Sequence, residues 1–308
     1  MSALEVLAQQ VINGLMLGMM YSIVGVGFTL YFGVLDIINF SHGEFYMLGA
    51  FIALILNSIA GAAGWSVSPI FMLIYIFLGS MILTGAVGVV TQRLCVRPVS
   101  KAPMLISLLV TLGLGIAIRE AVRIFYPRGA DPKHFPTFLP TDSFKLGHVI
   151  IRYDSLIIFG MGVVSIVLTS LVINRTKIGS AIRAVAQDGE AAMMMGVDLD
   201  RTVDITFFIG SVLAAVAGIM NGLYYRTIMF NMGGMAGVIG FSAAVMGGLG
   251  NVYGAIVGGM LFGLLETFCA AVLPFGAENK RVFAFLVVIL FMTFKPTGIL
   301  GEKVYERV

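Results

Sequence analysis

Val6–Leu35 contains no Asp, Glu, Lys or Arg, and neither does Phe45–Gln92. Five more runs share this property: Ala102–Ile118, Ser155–Asn174, Ile205–Tyr225, Thr227–Leu265 and, more briefly, Val282–Phe294. A bilayer core roughly 30 Å thick is crossed by about 20 apolar helical residues. So many uncharged runs of that length predict helices buried in a membrane, because only there must every backbone group be satisfied within the segment. Two of the runs are too long for one crossing. "GAAGW" at Gly61–Trp65 divides the first and "GGLGN" at Gly247–Asn251 the second. The expected fold is therefore all-α: a polytopic membrane protein of about eight or nine membrane segments, some broken or re-entrant. It forms one membrane domain over residues 1–308, with a loop at 174–203 on one side and a loop at 126–152 on the other.

Composition agrees. The 308 residues are 59% hydrophobic and 11% charged, with a mean hydropathy of +1.00. A soluble domain averages about 45–50% apolar and about 25% charged residues. The 38 glycines suit close helix packing in lipid, and Gly14/Gly18 and Gly259/Gly263 each form GxxxG. The halves also share a pattern that predicts an internal repeat. Each has a small-residue helix (Gly14–Gly27; Gly210–Gly222), then a polar break, then a Gly-rich helix, as in transporters built from repeats.

The net charge of +3 suggests no nucleic-acid partner; its distribution says more. No Lys or Arg precedes Arg93, so the basic region of a cleaved signal peptide is not expected. Arg93, Arg97 and Lys101 form a short basic loop without acids, which the positive-inside rule places in the cytoplasm. Alternation then puts 126–152 outside, 174–203 inside, Glu278–Arg281 outside and the C-terminal Lys303 and Arg307 inside. The Pro-rich 126–152 stretch reads as a solvated loop or an ordered docking connection. Cys95 and Cys269 have neither disulfide nor metal spacing.

Three stretches could carry chemistry. The first is Ala181–Arg201, "AIRAVAQDGEAAMMMGVDLDR". Ile182, Val185, Ala186, Gly189, Ala192, Met193 and Gly196 recur at three- and four-residue steps, predicting one apolar helical face. Asp188 is a candidate N-cap, and Glu190 falls in the first turn. Gly196 can end the helix in a left-handed conformation, after about two turns, and Asp198 or Asp200 can cap the next helix. Such a helix can lie on lipid, pack on its own chain or enter a partner's groove. The acidic centre, where a lipid-lying helix would carry Lys and Arg, favours the partner.

The second stretch, Asp36–Phe51, places Asp36, Asn39, Ser41, His42 and Glu44 in a membrane-facing sequence. Ionisable groups there are costly and tend to serve a pathway, although His42 also suits a hydrogen-bonded structural role at a helix break. No zinc set or HExxH accompanies it, so metal and catalytic roles are not expected. The third, Ala244–Glu266, is Gly-rich but lacks the strand–helix context of a dinucleotide site. Gly-Lys is absent from the chain, so no Walker A motif exists and any ATPase must be a separate chain. Glu266 lies in an apolar helix, as a coupling carboxylate or as a hydrated or hydrogen-bonded group near the external end. Arg119 and Glu120 are expected to snorkel outward.

These residues resemble the H-type inner-membrane permease of bacterial branched-chain amino-acid ABC importers. The matching stretches are "INFSHGEFYMLGA" (Ile38–Ala50), "VRPV" (Val96–Val99), "AIRAVAQDGEAAMMMGVD" (Ala181–Asp198), "GGLGNVYGAIVGG" (Gly247–Gly259) and "PTGILG" (Pro296–Gly301). The resemblance implies a multi-pass subunit of the cytoplasmic membrane, surrounded by membrane lipid. Its implied partners are a second related permease, two cytoplasmic ATPase chains and a periplasmic binding protein that delivers substrate. This chain would bind no cofactor; ATP is used by the partners. The resemblance assigns ATPase coupling to Arg183, Ala186, Gln187, Asp188, Gly189, Glu190, Ala191, Ala192, Met193, Met194, Met195 and Gly196. Asn39, Ser41, His42, Glu44, Asn231 and Ser242 are the pathway candidates, because they interrupt greasy segments near helix breaks and a zwitterion needs polar groups. Urea and short-chain amide permeases share the same motifs. A proton-coupled carrier using Glu266, Glu44 and His42 is the rival from another class, a channel a third reading and a membrane enzyme a fourth.

Overall fold

The computed structural model describes residues 3–65, 67–100, 102–140, 142–146, 149–273 and 275–301. Lys101, His148, Lys303 and Arg307 lie outside these. The helices are α1 (Ala3–Leu35), α2 (His42–Ala62), α3 (Pro69–Thr91), α4 (Met104–Phe125), α5 (Tyr153–Arg175), α6 (Lys177–Gln187), α7 (Gly189–Met194), α8 (Leu199–Tyr225), α9 (Met232–Gly247), α10 (Val252–Val272) and α11 (Gly276–Phe294). Seven of them, α1–α5, α8 and α10, are long and apolar enough to cross a membrane. Eight or nine were expected. The two further apolar helices are α9, with 16 residues, and α11, which carries Glu278, Lys280 and Arg281 in its first turns. The protein is all-α and polytopic, as the uncharged runs predict. Both glycine breaks, at 61–65 and 247–251, separate helices.

Two ends of the bundle can be told apart by their contacts. At the basal end, Ile299 and Leu300 donate backbone hydrogen bonds to Met246 and Gly247 (2.9 Å each). Arg93 there meets Asp204 at 2.5 Å, and Arg97 meets Asp200. These two arginines are not in a loop: α3 continues as a π-turn over Gln92–Val96 and a 3-10 turn over Arg97–Val99. Acids on α8 give a helical path for charges that sequence alone placed in a connection. At the apical end, Gln9 both donates to and accepts from the Ile150 backbone (3.2 and 2.9 Å). The 126–152 segment is anchored there. Its strand β1 (Lys133–His134) pairs with β4 (Thr227–Ile228), while β2 (Ser143–Leu146) and β3 (Val149–Arg152) make a hairpin. Phe135, wholly buried, sits over Gly222, where a side chain would collide with its ring.

α1, α2 and α8 form the buried centre. α1 packs along α10 through the two glycine motifs. A Cβ on Gly18 would stand 2.8 Å from the Met260 Cα, and one on Gly263 would strike the Gly18 backbone. Ser22 donates to the Ile256 carbonyl (2.8 Å) and Ser80 to the Gly49 carbonyl (2.6 Å), polar ties of the kind that hold helices together where water is absent.

Candidate functional site

The basal face presents α6 and α7. α6 starts at Thr176, whose hydroxyl accepts from the Gly179 N–H (3.1 Å). It ends where Asp188 leaves helical geometry (φ −161°, ψ 104°). The Asp188 carboxylate accepts from the Glu190 and Ala191 N–H groups (3.0 Å each), which makes it the N-cap of α7. Gly196 (φ +85°) stops α7. Its N–H bonds to the Met193 carbonyl and that of Val197 to Ala192 (3.0 Å each), a Schellman pair. Asp198, not Asp200, caps α8 by accepting from the Arg201 N–H (3.0 Å).

The break at Asp188 corrects the single apolar face. Ile182, Val185 and Ala192 are buried against Tyr31, Val34, Val96, Val203 and Phe207. Ala186, Met193 and Gly196 are exposed instead: the turn at Asp188 resets the helical phase for the last two, while Ala186, ahead of the turn, faces the cleft beside Gly33. Met194 and Met195 are 86% and 85% exposed, with Gln187, Asp188, Glu190 and Ala191 exposed beside them and Gly189 half-buried. Arg183 turns toward α5. It donates to the Ile173 carbonyl, and to Ser180 Oγ at 3.3 Å, completing the C-terminus of that helix. It positions α6 rather than standing free. Behind α6 lies a cleft of about 680 Å³ between α1, α5 and the 249–253 turn, walled by Gly33, Asp36, Asn174, Gln187 and Asn251 among others.

The polar break lies deeper. His42 Nε2 is 3.1 Å from the Val24 carbonyl, a residue about 16 Å short of the end of α1 at about 1.5 Å per residue. α2 therefore begins at mid-depth, after residues 36–41 fold back from the basal end. α9 begins inside too. Gly233 and Gly237 lie against Gly43, and a side chain at any of the three would meet backbone. Asn39 Oδ1 accepts from the Ser41 N–H (3.1 Å) and hydroxyl (2.6 Å). The His42 imidazole lies edge-on to Phe28 (4.8 Å) and Tyr31 (5.1 Å), in a space that Gly27 leaves open. Asn39 Oδ1, the Ser41 hydroxyl and His42 Nε2 thus shape the break, while Asn39 Nδ2 and His42 Nδ1 are buried without a hydrogen-bond partner among the described residues. Gly27→Val should expel the ring at a cost of about 1–3 kcal/mol, typical of overpacking. The check is thermal unfolding in detergent, where an unchanged midpoint would refute this seating of His42.

Glu44 is buried on the first turn of α2, with Arg119 Nη1 4.0 Å away. Arg119 thus points inward, against the expectation that it snorkels; that expectation rested on its place within about two helical turns of the loop, and one sequence does not orient the side chain. Asn231 is exposed at the start of α9, and Ser242 Oγ bonds within its own helix to the Val238 carbonyl (2.9 Å). Glu266 is wholly buried and held by the Tyr21 hydroxyl (2.7 Å) and Lys280 Nζ (2.9 Å). Sequence did not pair it with α11. Among the described residues no group of three or more His, Cys, Asp and Glu could hold a metal.

The family model described as "Branched-chain amino acid transport system / permease component" matches residues 10–292. The high-affinity branched-chain amino acid transport system permease protein BraD of Pseudomonas aeruginosa is 37% identical over 305 residues, 97% of each chain. LivH of Escherichia coli K12, with the same description, is 32% identical over 306 residues and 97% of each chain. A probable LivH of Methanocaldococcus jannaschii is 24% identical, covering 91% of this chain and 88% of that one. Among solved structures, PsaBC from Streptococcus pneumoniae in complex with Fab aligns over 95% of this chain and 92% of that one, at TM-score 0.49 and 13% identity.

Proposed function

The chain belongs to the family of permease components of branched-chain amino-acid transport systems, and from that premise we propose how it works. It is a multi-pass membrane transport subunit. Its substrates are leucine, isoleucine and valine, the class for which its relatives are named, in preference to urea or amides. Its basal end faces the cytoplasm and its apical end the periplasm. One ATPase chain docks on α6–α7; a related permease completes the membrane unit and carries the second ATPase; a periplasmic binding protein delivers substrate to the apical end. ATP is hydrolysed on the partners, and this chain binds no cofactor.

One observation carries this reading: a short helix, rigidly capped at both ends, projects exposed methionines from a basal element whose other face is packed on α1 and α8. Methionine is flexible and polarisable and suits a greasy contact that must be made and released. ATPase closure pushes α7. Asp188 and Gly196 keep it from fraying, and α6 passes the motion to α1 and α8 through Ile182 and Val185. Coupling belongs to Ala186–Gly196, with Arg183 as the residue that seats the lever on α5. Such a push shifts an equilibrium only by what it favours in one state over the other. A proton relay is disfavoured, since no hydrogen bond among the described residues links Glu266, Glu44 and His42.

The test is reconstitution with the neighbouring ATPases, sister permease and binding protein. ATP-dependent leucine uptake into proteoliposomes is expected, and Glu190→Lys, an exposed site, should release the ATPases while the membrane part stays monodisperse. Uptake that follows a proton gradient without ATP would overturn the proposal.

A further inference from the structure

Glu44 and Arg119 form an ion pair that is not closed. The carboxylate belongs to a residue 4% exposed. Its Oε1 is 4.0 Å from Arg119 Nη1, well beyond the roughly 2.7–2.9 Å of a charge-assisted hydrogen bond. Its Oε2 has no hydrogen-bond partner among the described residues. A buried carboxylate so poorly compensated is costly. Around it the chain has removed bulk rather than supplied donors. Gly115 of α4 faces the Glu44 Cγ, and Gly233 and Gly234 of α9 face the carboxylate oxygens. These two glycines are the first turn of a 16-residue helix with no side-chain cap, where N–H groups lack helical partners and the dipole is positive. On the other side Arg119, its side chain 31% exposed, continues into Glu120 (3.7 Å), which pairs with Arg123 (2.6 Å). This charged strip on a membrane helix cannot face lipid cheaply; it opens onto water or a partner.

We propose that Glu44, Arg119 and the start of α9 together make the mid-membrane site for the zwitterionic backbone of an α-amino acid, which enters as the unclosed pair parts. The ammonium group lies on Glu44, and the carboxylate on Arg119 and the free N–H groups at the start of α9. An opposite-charge pair held apart at the helix start suits a ligand that carries both charges one carbon apart. The site rests on the reading of the chain as an amino-acid permease and adds to it the recognition of the backbone rather than the side chain.

The test uses the full complex in proteoliposomes with its binding protein, measuring leucine uptake and binding-protein-stimulated ATP hydrolysis. Glu44→Gln and Arg119→Gln should each lower uptake at least about tenfold, the loss of one hydrogen bond to a charged group. Stimulated ATP hydrolysis should persist, and the double variant E44Q/R119Q should stay as low as the single ones. Unchanged uptake in the single variants overturns the site. So does wild-type uptake in the double variant, which would make the pair a structural tie. Should the neutral variants fail to assemble, Arg119→Lys keeps the charge: a raised KM for leucine supports the site and an unchanged KM overturns it. A wild-type complex that moves no amino acid would instead sink the functional reading itself.

Discussion

Gly18→Leu is expected to leave no folded permease. The α1–α10 contact is backbone against backbone, with Gly18 facing Met260 and Gly259, and Gly14 facing Leu264 and Thr267. A Cβ alone at Gly18 would stand 2.8 Å from the Met260 Cα and 3.0 Å from its carbonyl oxygen. Neither atom can turn away as a side-chain tip could, so the helices must separate. Separation also breaks the Ser22–Ile256 hydrogen bond, 2.8 Å long, in surroundings where no water replaces it. Gly18→Ala should cost about 1–3 kcal/mol, the usual range for overpacking, and leucine more than a typical domain stability of about 5–15 kcal/mol tolerates when spread along a whole interface. The measurement is monodispersity and thermal midpoint in detergent. Gly113→Leu serves as control, because nothing lies within 4 Å of its Cβ position. If Gly18→Leu melts where the wild type does, the glycine-motif packing is wrong.

Met194→Glu combined with Met195→Glu should abolish ATPase capture without touching the fold. Both side chains are more than four-fifths exposed, and the caps of α7 come from Asp188 and the backbone around Gly196. Two carboxylates would have to be desolvated in a partner's apolar groove, at several kcal/mol each in a dry contact. A loss of co-purified ATPase of at least about a hundredfold follows from about 2.7 kcal/mol at tenfold per 1.4 kcal/mol. Equal ATPase recovery from the double variant and the wild type would show that α7 is not the docking element.

Much of this architecture was legible in the chain because lipid makes simple demands. Charge-free runs located the spans. Gly61–Trp65 and Gly247–Asn251 marked the turns, and the two GxxxG motifs turned out to face each other. The caps at Asp188, Gly196 and Asp198 were legible because each is a local hydrogen-bond problem with few solutions. What depends on distant residues was not. Arg93 and Arg97 look like a basic loop until Asp200 and Asp204 are beside them. Arg119 reads as snorkelling until Glu44 is found across the helix gap. Periodicity ran one apolar face from Ile182 to Gly196, although the cap at Asp188 already marked where a new helix starts. The β1–β4 pairing, two residues on each side, is too short to leave any alternation. At the candidate site, sequence picked out the polar break but not the division of labour within it. Asn39, Ser41 and His42 each make at least one bond to nearby backbone or side chain, whereas the Glu44 carboxylate has only Arg119 at 4.0 Å.

The meeting of α2 and α9 has a mechanical corollary. Their first two turns touch through Gly43, Gly233 and Gly237, three positions with no side chain. Interlocked helices slide only by lifting knobs from one set of holes to the next, a step of about 5.4 Å. A knobless junction has no such ratchet. It is a plain bearing at the centre of the molecule, free to shear by small continuous amounts, while the α1–α10 contact beside it is pinned by the Ser22–Ile256 hydrogen bond.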